Sequence, residues 1–212
     1  MASRTRVYVD GFNLFYGSVK GTPYQWLDLK LLVENVFPSL KDSIERLWYF
    51  TAVVRGSASK RQKQQDYFHA LHAHIPSLRI IKGFFLHDKI ANGIPVDQEK
   101  YGRERRDFYT NEEKGSDVNL AVQLVSDSYT NDFDTAVVLS NDSDLVAAIK
   151  IAKSLKKRVI VLIPWHKGRK KSTLMMNAAS DHRTIYPSVL KRCLLPDPVQ
   201  SKQGPISKPE SW

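Results

Sequence analysis

Four acidic side chains occupy settings in which a carboxylate can do chemistry. Asp10 closes the apolar run Arg6-Val-Tyr-Val-Asp10 and precedes Gly11; Asp117 stands in Lys114-Gly-Ser-Asp117, where a helical pattern begins. Asp142 and Asp144 share the turn Ser140-Asn-Asp-Ser-Asp144 behind another apolar run. Any one of them alone reads as a helix cap, because Asp, Asn and Ser are the preferred residues there. As a group they point elsewhere. Carboxylates gathered within several ångström repel, and each raises its neighbours' pKa unless a cation neutralises the set. An all-oxygen site suits a hard divalent ion, Mg²⁺ or Mn²⁺. Such ions commonly promote displacement at phosphorus, orienting a water, lowering its pKa and stabilising the leaving oxygen. A single cysteine, Cys193, and histidines (His69, His72, His74) on a separate, surface helical pattern argue against zinc.

A basic segment lies close by in the pattern. Pro164-Trp-His-Lys-Gly-Arg-Lys-Lys171 follows a third apolar run, so it starts at the edge that carries the acids. Lys167, Arg169, Lys170 and Lys171 can hold a phosphate backbone while Trp165 offers a stacking face to an unpaired base. The net charge of +10 is uneven: residues 1–150 carry 19 basic and 19 acidic side chains, residues 151–212 carry 13 and 3. That asymmetry favours a polyanionic partner, nucleic acid ahead of anionic lipid.

The elements that must position these groups alternate. Strand patterns at 6–10, 46–54, 78–86, 135–139 and 158–163 are separated by helical ones at 12–20, 27–36, 57–74, 116–128 and 144–155. In the 116–128 helix, Val118, Leu120, Ala121, Leu124 and Val125 are expected inward. Continuous apolar strands joined by helices mean a parallel sheet covered on both faces, with its sites outside the strands' carboxyl ends. Residues 87–114 read as a long loop or insertion. A short helix at 174–179, a strand at 183–186 and a last turn at 188–194 complete one domain, 1–195; the Pro, Ser and Lys content of 196–212 reads as a disordered tail. Phe12, Phe15 and Tyr16 read as core or site wall, Cys193 as a small buried hydrophobe, and Asp181 as either near the acidic edge or in a surface or capping role. At 42% hydrophobic content the chain can bury a core without disulfides. No apolar run reaches the roughly 18 residues of a membrane span, and the amino terminus lacks a signal peptide's apolar stretch. A cytoplasmic protein with no membrane partner is the expectation.

The residues resemble the LabA-like NYN family, a branch of the PIN-like nuclease superfamily. The matching pieces are Val7-Tyr-Val-Asp-Gly-Phe-Asn13-Leu-Phe, Lys114-Gly-Ser-Asp117-Val-Asn-Leu-Ala and Val138-Leu-Ser140-Asn-Asp142-Ser-Asp144-Leu, in the family's order over residues 5–165. The resemblance implies a three-layer α/β/α sandwich with a mostly parallel sheet. It also implies a Mg²⁺- or Mn²⁺-dependent endoribonuclease whose metal ligands are Asp10, Asp117, Asp142 and Asp144. Asn13 and Ser140 would support the metal-bound water or the ligand geometry, and Lys114 would touch the scissile phosphate. Single-stranded or structured RNA, such as tRNA, is the implied substrate, with 5′-phosphate ends as product. Asn141 departs from the family, which usually has Gly there; its side chain is expected to narrow the metal site or add a ligand.

Two rival classes stay open. One is a catalytically silent RNA-binding or regulatory module on the same fold. The other is a phosphatase or phosphoryl-accepting domain, but Phe12 stands where haloacid-dehalogenase phosphatases have a second Asp. Dinucleotide binding lacks its Gly-x-Gly-x-x-Gly after the first strand.

Overall fold

The structure, a computed structural model, describes residues 3–54, 56–95, 97–164, 168 and 170–212, with side chains except at 86–89 and 108–112. Seven strands build the central sheet: β1 Thr5–Asp10, β2 Ile44–Ala52, β3 Leu78–Gly93, β4 Arg106–Lys114, β5 Thr135–Leu139, β6 Arg158–Pro164 and β7 Asp181–Ile185. Their spatial order is β4-β3-β2-β1-β5-β6-β7. Every pairing is parallel except β3 with β4. Chain order reverses at β1, whose neighbours are β2 and β5, so the crevice between the ends of β1 and β5 is the topological switch point.

Helices cover both faces, as continuous apolar strands require. One core packs Val7, Val9, Leu47 and Leu139 against α2 (Leu29–Val36) and α3 (Ala58–His74). The other packs Tyr8, Phe50, Val138 and Val161 against α5 (Ser116–Tyr129) and α6 (Val146–Ser154). Alternation along β1, with Val7 and Val9 on one side and Tyr8 on the other, is the period of two that a strand imposes. Short helices complete the set: α1 Gly11–Leu14, running into a π-helical turn at Phe15–Val19, then α4 Gln98–Tyr101, α7 Thr173–Ala178 and α8 Pro187–Leu190. Among the described residues no helix is long and apolar enough to cross a membrane.

Polar anchors tie the layers together away from the carboxyl edge. Asp28 caps α2, its Oδ1 accepting from Lys30 N and Leu31 N at 2.9 Å, while its Oδ2 lies 3.0 Å from His74 Nε2 at the end of α3. His74 is exposed, as expected of these histidines, and serves as an interhelix partner as well. Near the sheet's amino edge, Asp127 is buried and receives Tyr8 Oη at 2.7 Å, Arg6 Nη1 at 2.7 Å and Gln123 Nε2 at 2.8 Å. Cys193 is fully buried, as expected.

Three expectations need correction, and for Asp181 the second of two alternatives holds. Residues 87–114 are not a loop: β3 runs on past its last pairing with β2, Ala52 with Gly83, and pairs with β4 from Phe84–Lys114 out to Gly93–Arg106. The segment is a two-stranded arm beyond the carboxyl edge, and its mixed charges hid the strand alternation. Residues 196–212 are ordered, because three apolar anchors in a polar stretch find the first core. Val199 is buried in the hairpin of β8 (Val199–Ser201) and β9 (Gly204–Ile206), Ile206 packs beside it, and Trp212 sits edge-on to Trp26 and Tyr67 at 6.2 and 5.8 Å. Trp26 Nε1 also donates to Pro196 O at 3.0 Å. Val118 is 60% exposed, since Leu120 and Leu124 set the inward stripe of α5 and position 118 falls off it. Asp181 opens β7 opposite Ile160, well short of Pro164, and pairs with Arg183 at 2.7 Å, so it lies away from the acidic edge.

Candidate metal centre

Asp10 is the last residue of β1, and parallel pairing of Val9 with Leu139 sets it beside Ser140. Its carboxylate is 5% exposed and fully engaged: Oδ1 accepts from Asn13 N at 2.9 Å, and Oδ2 from Asn13 Nδ2 at 2.7 Å and Ser140 Oγ at 2.9 Å. Burial pushes this carboxyl above the usual range, and the charge of Asp142 pushes the same way, against the hydrogen bonds from Asn13 and Ser140. The next residue has to be glycine, because a Cβ on Gly11 would stand 2.8 Å from Phe50 O and 2.9 Å from the Tyr49 ring.

Ser140 passes the linkage on. Its Oγ accepts from Asp142 N at 3.1 Å, and Asp142 Oδ1 accepts in turn from Asp144 N at 3.0 Å, capping the 3₁₀ turn Ser143–Leu145. Asp117 enters from the first turn of α5. It sits three residues before Leu120 and four before Ala121, so the apolar stripe that anchors α5 also sets its direction. Gly115, at φ +92°, makes the sharp passage from β4 into this helix. Gly83 permits it: a Cβ there would stand 2.5 Å from Lys114 O and 3.1 Å from Ser116 N.

The outcome is a trio. Asp117, Asp142 and Asp144 each offer an oxygen, and these atoms lie within 4.8 Å of one another. Asp10 lies outside that set, behind it and joined to it through Ser140. Three adjacent carboxylate oxygens from half-buried and exposed side chains fit a hard divalent cation, which commonly keeps water among its ligands. The first turns of α5 and the 3₁₀ segment aim partial positive charge at the same place.

The remaining candidates are distributed as follows. Asn13 serves Asp10 through two hydrogen bonds. Lys114 ends β4 at this edge, three residues before Asp117. Asn141 turns away from the acids: its Nδ2 donates to Lys170 O at 2.9 Å and its Oδ1 accepts from Ser172 N at 2.8 Å. It thus holds Lys170 and Ser172 in place instead of narrowing the site. Lys170 is exposed, and Lys171 Nζ lies 5.9 Å from the Tyr186 ring centre. Trp165, Lys167 and Arg169 lie outside the described residues.

Sequence reasoning missed Gly83, whose signal was a lone glycine inside a strand pattern. It also missed the lysines and tail residues around a neighbouring cavity, which no motif marks. Phe15 and Tyr16 do form a wall, as expected; it belongs to that cavity.

A doubly covered, mostly parallel sheet with an acidic cluster at its switch point is a fold of the PIN-like nuclease type. The chain belongs to the NYN domain family, which it matches over residues 4–186. It is 34% identical, over 99% of its length and 75% of the relative's, to 6-hydroxy-3-succinoylpyridine 3-monooxygenase HspA of Pseudomonas putida. A protein of unknown function from Vibrio parahaemolyticus shares the fold, with a TM-score of 0.54 at 14% identity over 87% of this chain and 94% of that one.

Proposed function

We propose that this protein is a metal-dependent endoribonuclease of the LabA-like branch, acting in the cytoplasm on RNA. The observation that supports it best is the approach of Asp117, Asp142 and Asp144 within 4.8 Å at the switch point of an NYN fold. These three residues would hold Mg²⁺ or Mn²⁺. The cation would supply charge neutralisation and a more acidic water. Asp10 adds negative charge from behind and, through Ser140, fixes the turn that presents Asp142. Lys114 sets a positive charge beside the phosphodiester, and the segment ending in Lys170 and Lys171 holds the backbone. Water adds to phosphorus, the bond to the 3′ oxygen breaks, and the products are a 3′-hydroxyl and a 5′-phosphate. End-labelled structured and unstructured RNAs, incubated with wild type and Asp142→Asn in Mg²⁺, Mn²⁺ or EDTA, test this reading. Cleavage that needs metal and is lost in the variant is expected. RNA binding without cleavage in any metal would overturn it in favour of a silent RNA-binding module.

The 34% identity to the Pseudomonas relative favours a second reading, hydroxylation of a heteroaromatic ring. That reaction consumes dioxygen and a two-electron reductant, one oxygen entering the ring and the other leaving as water. Oxygen uptake that depends on a reduced nicotinamide or flavin and on a hydroxypyridine substrate would establish it; no uptake would dismiss it.

A further inference from the structure

On the α1 and α3 face of the sheet, directly after Asp10, the carboxyl edge opens into a cavity of about 520 Å³. That volume falls within the range of small-molecule sites. Its walls are aromatic: Phe15, Tyr16, Tyr49, Tyr67, Phe68 and, from the ordered tail, Trp212. Three lysines, Lys20, Lys60 and Lys63, belong to the lining, and among the described residues no Asp or Glu does. The walls are held by their own bonds. Tyr67 Oη donates to Leu27 O at 2.7 Å, and Gln64 donates to Ala52 O at 3.0 Å while accepting from Val54 N at 2.8 Å. Lys20 Nζ already lies over a ring, 4.7 Å from the centre of Tyr16.

Flat π-faces select a flat ring, and three ammonium groups in a lining with no described Asp or Glu select an anion. We propose that this cavity binds a planar aromatic anion, a ring between the aromatic walls with its negative group on the lysines. The same chemistry arises from two sources, a nucleoside monophosphate or a free heteroaromatic carboxylate. The cavity and the acidic trio flank Asp10 from opposite faces of the sheet, so a ligand here is held apart from the metal centre. The proposal rests on neither reading of the reaction.

The test is titration of the full chain, in EDTA, with adenosine 5′-monophosphate and separately with nicotinate, read by tryptophan fluorescence and calorimetry. Saturable binding of either probe is expected, and the tighter one identifies the source. Lys20→Glu with Lys63→Glu should weaken it by about tenfold or more. Trp212→Ala should do the same, and Asp142→Asn should leave it unchanged. Circular dichroism controls for folding. A wild type that cuts RNA yet binds neither probe overturns this proposal alone, as does binding unmoved by the lysine and tryptophan variants.

Discussion

The Asp10 carboxylate and the Ser140 hydroxyl, 130 residues apart in the chain, meet at 2.9 Å where β1 and β5 end side by side. This contact couples a buried carboxylate to the turn that carries two members of the half-buried and exposed trio. It exists because two parallel strands end in register, and it gives the site its cost and its geometry together.

The cost is measurable. Burial holds the Asp10 carboxyl above the usual range, so the folded state keeps its proton to higher pH than the unfolded state does. The stability this contributes is present below the unfolded value near ~3.9 and is lost as pH rises through the folded one. Asp10→Asn, which mimics the protonated group, should raise the metal-free Tm at pH 7 by about 2–4 °C, equivalent to about 1 kcal/mol. The gain should shrink as pH is lowered towards 4. Calorimetric scans in EDTA check this, and a destabilised variant at pH 7 would contradict it.

Cation binding should appear as stability. At Mn²⁺ ten times its dissociation constant, wild type should gain about 1.4 kcal/mol, a Tm rise of about 3–6 °C. Asp117→Asn and Asp142→Asn should each lose most of the rise, because two charged carboxylates remain where three stood. Asp132→Asn, far from the trio, should keep it. Thermal scans across a Mn²⁺ series decide.

Gly83 offers a steric test. A methyl group there meets backbone, Lys114 O at 2.5 Å and Ser116 N at 3.1 Å, which cannot swing aside as a side chain can. Gly83→Ala should cost about 1–3 kcal/mol and weaken Mn²⁺ binding as well, since the displaced turn carries Asp117. Unchanged urea midpoint and unchanged metal affinity would show that the turn yields freely.

At the other edge, Asp127 receives both Arg6 and Tyr8 with only 5% of its side chain exposed. Asp127→Ala leaves the buried Tyr8 hydroxyl without its acceptor and Arg6 with Asp132 alone, at 3.2 Å, and should cost about 1–3 kcal/mol without touching the metal centre. Urea unfolding should show a lower midpoint, while the Mn²⁺-induced Tm rise stays as in wild type.

Much of this molecule was written locally. Continuous apolar runs such as Thr135–Leu139 and Arg158–Ile163 can be satisfied only in a sheet covered on both faces, and both became strands of that sheet. The acids at the run ends had to fall at its carboxyl edge. Other features had no local signature. The 87–114 arm pairs over distance, so its alternation is masked by charge, and the tail folds because Val199, Ile206 and Trp212 each reach a core built by residues far earlier in the chain. Which carboxylates meet was likewise decided in three dimensions. Asp10 and Asp117 both stand within two residues of a glycine, yet strand register buries the first against Ser140, while the apolar stripe of α5 brings the second to Asp142 and Asp144.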